Sequence, residues 1–214
     1  MQVIVINSQK GGSGKTMLVK HLSVEAERVG DGPVFLIDTD PQASLTAWHN
    51  RREAEIPQRV EAPFQRLRGA LEFMRDRGAK YCFVDTASGR VDVAKDLFEL
   101  ADLVIFPVQA SEDDLTAAPV TVAALKKARA PFVFVLTRVK ANTLITAQAA
   151  AILSKHGVVA EAFVIDRTGY KSPYPKGQTV IEAEPKGKAA NEITALWASI
   201  KSCMHENREV RGKV

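Results

Sequence analysis

The chain has 214 residues, of which 46% are hydrophobic and 25% charged, a balance that excludes intrinsic disorder and suits one α/β domain with a sizeable core. A formal net charge of +4 and a pI of about 9.1 permit contact with nucleic acid or an anionic surface but do not demand it. Cys82 and Cys203 lie far apart, which leaves no disulfide framework and no metal or redox spacing, and fits a reducing cytoplasm. Residues 3–6 are a β-branched apolar run ahead of a Gly-rich stretch, so they read as a buried strand entering a loop. Because Met1 leads straight into that strand, no signal peptide is expected. Residues 15–29 carry Leu18, Leu22, Ala26 and Val29 at a helical period, and Gly30 and Gly32 stop the helix. Residues 34–37 form a second buried strand. Helices are expected over 43–52 and 64–77, with Pro57 and Pro63 bracketing a loop or short strand.

Further strands are predicted at 81–84, 103–107, 132–136 and 158–164, and helices at 91–100, 115–129 and 143–155. Residues 165–187 are rich in Gly, Pro and polar groups and read as a long loop. The last helix starts near Lys188, with Ile193, Leu196, Trp197, Ile200 and Met204 on its apolar face. The polar tail from His205 is expected to fray. No apolar run approaches the roughly 20 residues that span a bilayer. Strands apolar on both faces that alternate with helices predict a doubly wound, mainly parallel sheet covered by helices on both sides. One domain over 1–214 is the simplest organisation.

Three segments carry chemistry. The first is Gln9-Lys10-Gly11-Gly12-Ser13-Gly14-Lys15-Thr16, between the first strand and the first helix. Glycines let the backbone curl so that its N–H groups face phosphate oxygens, and the helix N-terminus adds partial positive charge. Lys15 is placed to neutralise the β- and γ-phosphates, and the Thr16 hydroxyl to ligate Mg²⁺. The second is Asp38-Thr39-Asp40-Pro41-Gln42, two carboxylates at a strand's carboxyl end, where they face the nucleotide crevice and can hold the magnesium shell or orient a water. A turn with a capping carboxylate is the competing reading. The third is the strand 81–84 ending in Asp85, a weak signal alone that gains from its place after the other two and would support Mg²⁺ through water.

Gln9 stands where the ordinary phosphate loop has Gly, and an extra lysine, Lys10, flanks the first glycine. Lys-Gly-Gly-x-Gly-Lys-Thr resembles the deviant Walker A motif of the ParA and MinD superfamily, and Asp-x-Asp-Pro-Gln resembles its second motif. The resemblance implies a P-loop NTPase fold, ATP/ADP and Mg²⁺ as cofactors, and an ATP-sandwiched homodimer in which Lys10 reaches the partner's nucleotide. It implies that Asp40 supports hydrolysis and that Asp38 lies near the metal waters. Met17 replaces a frequent threonine near the α-phosphate, but its backbone N–H remains for binding. By looser resemblance, Pro107, Thr137 and Arg138 lie near the nucleotide, the last two near the adenine. Residues 43–48, 180–182 and 188–193 resemble short ParF-type partition ATPases, whereas 50–80 are the least similar. Thr86-Ala87-Ser88-Gly89 departs modestly from the family's pattern.

MinD-like relatives end in a membrane-binding amphipathic helix, but the tail 206–214 has almost no apolar face, so no membrane partner is expected. Cys82 and Cys203 do not fall at iron–sulfur positions, the tail lacks a tyrosine cluster, and Met1 starts the core fold, so an appended operator-reading domain is not expected. The reading that remains is a cytoplasmic, nucleoid-associated partition ATPase. It would bind non-specific DNA when ATP-bound and hydrolyse ATP slowly under a small centromere-binding partner protein. The alternatives are an ATP-gated scaffold that positions a protein cargo and a metabolic ligase or synthase on the same fold. Arg167, Lys171, Lys176, Lys186 and Lys188, interleaved with Tyr170 and Tyr174, are the candidate DNA surface, diluted by Asp166, Glu182 and Glu184; Arg51 and Arg52 form a poorer second candidate. Trp48 and Trp197 read as core residues.

Overall fold

The computed structural model describes residues 1–89, 91–141, 143–172 and 174–211, with 91–94 and 208–211 in backbone only. Its strands assemble into one sheet. β1 (Gln2–Ile6) lies at the centre, between β4 (Tyr81–Asp85) and β5 (Leu103–Gln109). Outside β4 come β2 (Val34–Asp38) and the short β3 (Gln58–Arg59); outside β5 comes β6 (Phe132–Val139). Every strand pairing among the described residues is parallel. Parallel strands need helical crossovers, and these cover both faces of the sheet.

The two faces sort the strand residues by parity. Ile4 and Ile6 of β1 point to a layer formed by α1 (Lys15–Arg28), α7 (Val180–Ala183) and α8 (Lys188–Arg211). Val3 and Val5 point to the opposite layer, formed by α3 (Leu67–Asp76), α4 (Val91–Leu100), α5 (Glu112–Lys127) and α6 (Leu144–Leu153). Trp197 of α8 is 1% exposed. Its ring meets Tyr81 edge-on at 5.0 Å, and its Nε1 donates to Asp31 at 2.8 Å. A buried indole needs such an acceptor. Trp48, on α2 (Ser44–His49), is buried as well, and Cys82 lies wholly in the core.

Four expectations change. The strand over 158–164 is two short ones, β7 (Val158–Val159) and β8 (Val164–Ile165), on the same edge of β6. Four residues, 160–163, bulge out between them against two of β6, and Glu161 turns its N–H to the Ser199 hydroxyl instead. The loop over 165–187 contains two 3₁₀ turns, at Thr168–Lys171 and Pro175–Gly177, and then α7. α7 begins with a capping box: the Thr179 hydroxyl caps the helix, and Glu182 Oε2 accepts from Thr179 N at 2.7 Å. α5 starts three residues earlier than read, where the Ser111 hydroxyl accepts from Asp114 N and Glu112, Asp113 and Asp114 fill the first turn. α8 does not fray at His205 but continues to Arg211, because no Gly or Pro interrupts 205–211. Residues 212–214, the end of the tail, lie outside the described residues, as do the side chains from 208 on which its lack of an apolar face partly rests. Among the described residues, no helix is long and apolar enough to cross a membrane.

Candidate functional site

The loops that follow β1, β2, β4, β5 and β6 all leave the carboxyl edge of the sheet, where open α/β sheets bind ligands. The register sets their heights. Ile6 lies level with Asp85, and Asp85 with Asp38, so two of the three predicted carboxylates share one level beside the loop after β1.

That loop curls as its sequence requires. Gly12 and Gly14 have φ of +75° and +99°, conformations that side chains rarely adopt. A Cβ on Gly14 would also stand 3.4 Å from the Met17 methyl carbon. The loop is held from behind. The Thr137 hydroxyl donates to the Ser13 carbonyl at 2.8 Å, Ser8 and Ser13 hydroxyls share a bond of 2.5 Å, and Gln109 Nε2 donates to the Gly12 carbonyl at 3.2 Å. Lys15 and Thr16 then open α1, where backbone N–H groups have no helical acceptor.

Thr16 Oγ1 donates to Asp85 Oδ2 at 2.6 Å. The other oxygen of Asp85, Oδ1, is buried with no partner among the described residues. Burial pushes the Asp85 carboxyl up to about 7, against the pull of the Thr16 hydroxyl, and the charge of Asp38 adds to the rise. Burial also lowers the Lys15 ammonium, while Asp85 and Asp40 act the other way. Lys15 Nζ donates to the Ser88 hydroxyl. An orphaned carboxylate oxygen beside a threonine hydroxyl suits a hard divalent cation, so the residues present fit magnesium: Thr16 would bind it directly and Asp85 would support it.

Asp38 is engaged by its own turn. Its Oδ2 accepts from Thr46 N at 2.8 Å and Thr46 Oγ1 at 2.9 Å, and its Oδ1 accepts from Asp40 N at 3.1 Å. This carboxylate fixes the segment that carries Asp40. Asp40 itself accepts from Gln42 N at 2.9 Å and is half-buried. Lys10 lies 3.1 Å from Asp114 and 3.4 Å from Asp113 at the start of α5, and its side chain is 44% exposed. Arg138, at the end of β6, has φ +52° and reaches over the loop: a Cβ on Gly12 would stand 3.9 Å from its Nη1. Pro107 is not at this rim; it is buried inside β5, opposite Val135 and two residues short of the strand's end.

A family model described as the CobQ/CobB/MinD/ParA nucleotide binding domain matches residues 4–173. The chain belongs to this family. It is 32% identical over 123 residues to "Protein ParA" of Rhizobium radiobacter, a match covering 54% of the chain and 52% of that protein. The chain thus spans about half the length of that relative. It is 24% identical over 203 residues to the "Maintenance of carboxysome distribution protein A" of Halothiobacillus neapolitanus, covering 90% of the chain and 93% of that protein. Among solved structures, the MinD cell division protein of Aquifex aeolicus shares the fold with a TM-score of 0.76 at 19% identity, over 94% of this chain and 97% of that one.

Within the CobQ/CobB/MinD/ParA frame, the phosphate loop, Asp38, Asp40, Asp85, Thr137 and Arg138 gather at one edge. The partners Ser88, Gln109, Asp113 and Asp114 were missed, because no local pattern marks them and only the fold brings them close; Ser8, next to the loop in sequence, was missed because a lone serine carries no motif. The late basic cluster is elsewhere, and three of its members are paired: Arg167 with Glu192 at 2.6 Å, Lys171 with Asp166 at 2.5 Å and Lys176 with Glu53 at 2.8 Å. Lys186 and Lys188 are exposed. Arg52 is not a surface cation: its side chain is 2% exposed and paired with Glu182 at 2.8 Å.

Proposed function

We propose that this chain is a partition ATPase that binds Mg-ATP, dimerises around it and holds DNA without sequence preference while ATP-bound. The observation that carries this reading is the convergence of Lys15, Thr16, Asp40 and Asp85 at one sheet edge, with an extra, exposed lysine, Lys10, on the same loop. When bound, Mg-ATP supplies the phosphoanhydride and the cation that neutralises its oxygens. Lys15 and the backbone N–H groups of 11–17 hold the phosphates and the charge that develops on them. Asp40 orients the attacking water, and Asp38 positions Asp40 through the turn they share. Lys10 leaves Asp113 and Asp114 to reach the nucleotide of a second copy. Thr137 and Arg138 flank the base, and Met17 contributes its N–H.

Lys171, Lys176, Lys186 and Lys188 provide the DNA phosphate contacts. Exposed ion pairs such as Lys171–Asp166 are weak and exchange readily for phosphate. Arg167, tied to Glu192, shapes this surface more than it touches DNA. A small centromere-binding protein stimulates turnover. Likeness to the carboxysome distribution protein over 90% of the chain favours a second reading, in which the same ATP cycle positions a protein cargo.

The test is ATP hydrolysis together with binding to non-specific duplex DNA, in ATP or ADP, across a salt series. Slow turnover and ATP-dependent DNA binding that fades steeply with salt are expected. Asp40→Ala keeps the DNA-bound state and loses turnover; Lys15→Ala loses both. Hydrolysis without DNA binding at low salt would remove the partition reading and favour the cargo scaffold.

A further inference from the structure

A polar cavity, of about 500 Å³, opens between α1, the end of α2 and residues 169–172 and 174–179. Its walls carry Lys20, Arg51, Lys171 and the hydroxyl-bearing Ser172, Tyr174 and Thr179. No carboxylate lines it among the described residues. Lys171 has Asp166 as a partner at the rim. Lys20 and Arg51 have no ion-pair partner among the described residues, and they repel each other. Lys20 is recessed: its Nζ stands 5.7 Å over the Trp48 ring, and burial lowers its ammonium. Asp85 and Asp38 offset part of this at Lys20, but no carboxylate among the described residues lines the pocket, so a bound anion would relieve the repulsion between Lys20 and Arg51.

The walls are firmly built. The His21 ring bonds the Met17 carbonyl through Nδ1 at 2.8 Å, and its Nε2 accepts from Val180 N at 3.4 Å. Arg52, 4.9 Å from the Trp48 ring centre, donates to the Gly177 carbonyl at 2.9 Å and to Glu182. Gly177 has φ +63°, and a Cβ there would stand 2.9 Å from Arg52 N, so the segment lies directly on the end of α2. The backbone that carries these cations is therefore held in place before any ligand arrives, which lowers the cost of binding.

We propose that this cavity is a binding site for a small phosphorylated ligand, whose terminal phosphate is held by Lys20 and Arg51 with Ser172 at its rim. A dianion with several acceptor oxygens matches two cations; the hydroxyls of Ser172, Tyr174 and Thr179 already donate to the Thr168 carbonyl, Glu184 and Glu182 and only shape the walls. A phosphodiester of duplex DNA, flanked by sugar on both sides, meets cations on an open surface and does not enter a recess. The ligand would clamp α1 to α2 behind the turn that carries Asp40. This site is separate from the phosphate loop and does not depend on the partition reading.

The experiment is calorimetric titration of inorganic phosphate and of ribose 5-phosphate into the full chain with saturating Mg-ADP, which blocks the phosphate loop. Saturable binding of one ribose 5-phosphate per chain is expected, weakened at least tenfold by Lys20→Gln and by Arg51→Ala and unchanged by Lys155→Ala, a surface cation elsewhere. Cooperative thermal melting of each variant checks the fold, and Lys20→Arg should restore binding. Absence of saturation at millimolar probe, or equal binding by Arg51→Ala, would overturn the site. Displacement of the probe by a short duplex at matched phosphate concentration would assign these cations to the DNA backbone and overturn the small-ligand assignment.

Discussion

Asp85 illustrates how one side chain can be set by its surroundings. One oxygen has the Thr16 hydroxyl and the other has no donor among the described residues. Asp85→Asn keeps the shape and removes the charge that would support the cation. The expected result is a folded protein whose nucleotide affinity no longer rises with magnesium, read by titrating Mg²⁺ at fixed ATP. His21 is a separate case. Burial pushes its imidazole down to about 4 from 6.5, so it is neutral in the fold. The unfolded chain binds the proton first as pH falls. The stability that His21 contributes is therefore complete above pH 6.5 and is lost as pH falls towards 4, by up to about 3 kcal/mol. His21→Gln should flatten that part of a urea-stability profile; an unchanged slope would assign the acid sensitivity to other groups.

At the scale of elements, α2 depends on one guanidinium. Arg52 ties its end to the Gly177 and Ile56 carbonyls and to Glu182. Removing it leaves two carbonyls without their donor and Glu182, 26% exposed and still bonded to Thr179, without its cation, which costs about 1–3 kcal/mol. Arg52→Ala should lower urea stability by that order and speed hydrogen exchange in α2 and α7, whereas exchange in β1 stays slow. Elements with strong periodicity were legible in the sequence. β1, α1, β4 and β6 lie where their apolar residues recur, because burial and not local propensity places them. Elements fixed by capping were less legible. The Thr179-x-x-Glu182 box lay unused inside a presumed loop, and the Ser111 cap moved the start of α5, since helices as short as α7 have too few turns to show a period. The break between β7 and β8 rests on four residues, 160–163, standing opposite two of β6, a mismatch that no local window contains.

At the scale of the molecule, a parallel sheet delivers five loops to one edge, and this made much of the candidate site legible. Each motif is contiguous, and the strand before it dictates where it ends up. Pairings between motifs were not legible: Lys15 with Ser88 joins residues far apart in sequence, as does Lys10 with Asp114. A ligand that joins these loops should stabilise the whole fold. Mg-ADP at a hundred times its Kd adds about 2.7 kcal/mol, or roughly 5–10 °C of Tm for a chain of this size, and Lys15→Ala should abolish the rise. The two tryptophans give such experiments independent optical readouts. Trp197 is packed at the centre of one core layer, so its emission reports global unfolding. Trp48 has the cations of both Lys20 and Arg52 over its ring, on the helix that follows Asp40. Charges over an indole shift its emission, so a Trp197→Phe chain would carry a built-in fluorescent gauge of where α2 stands.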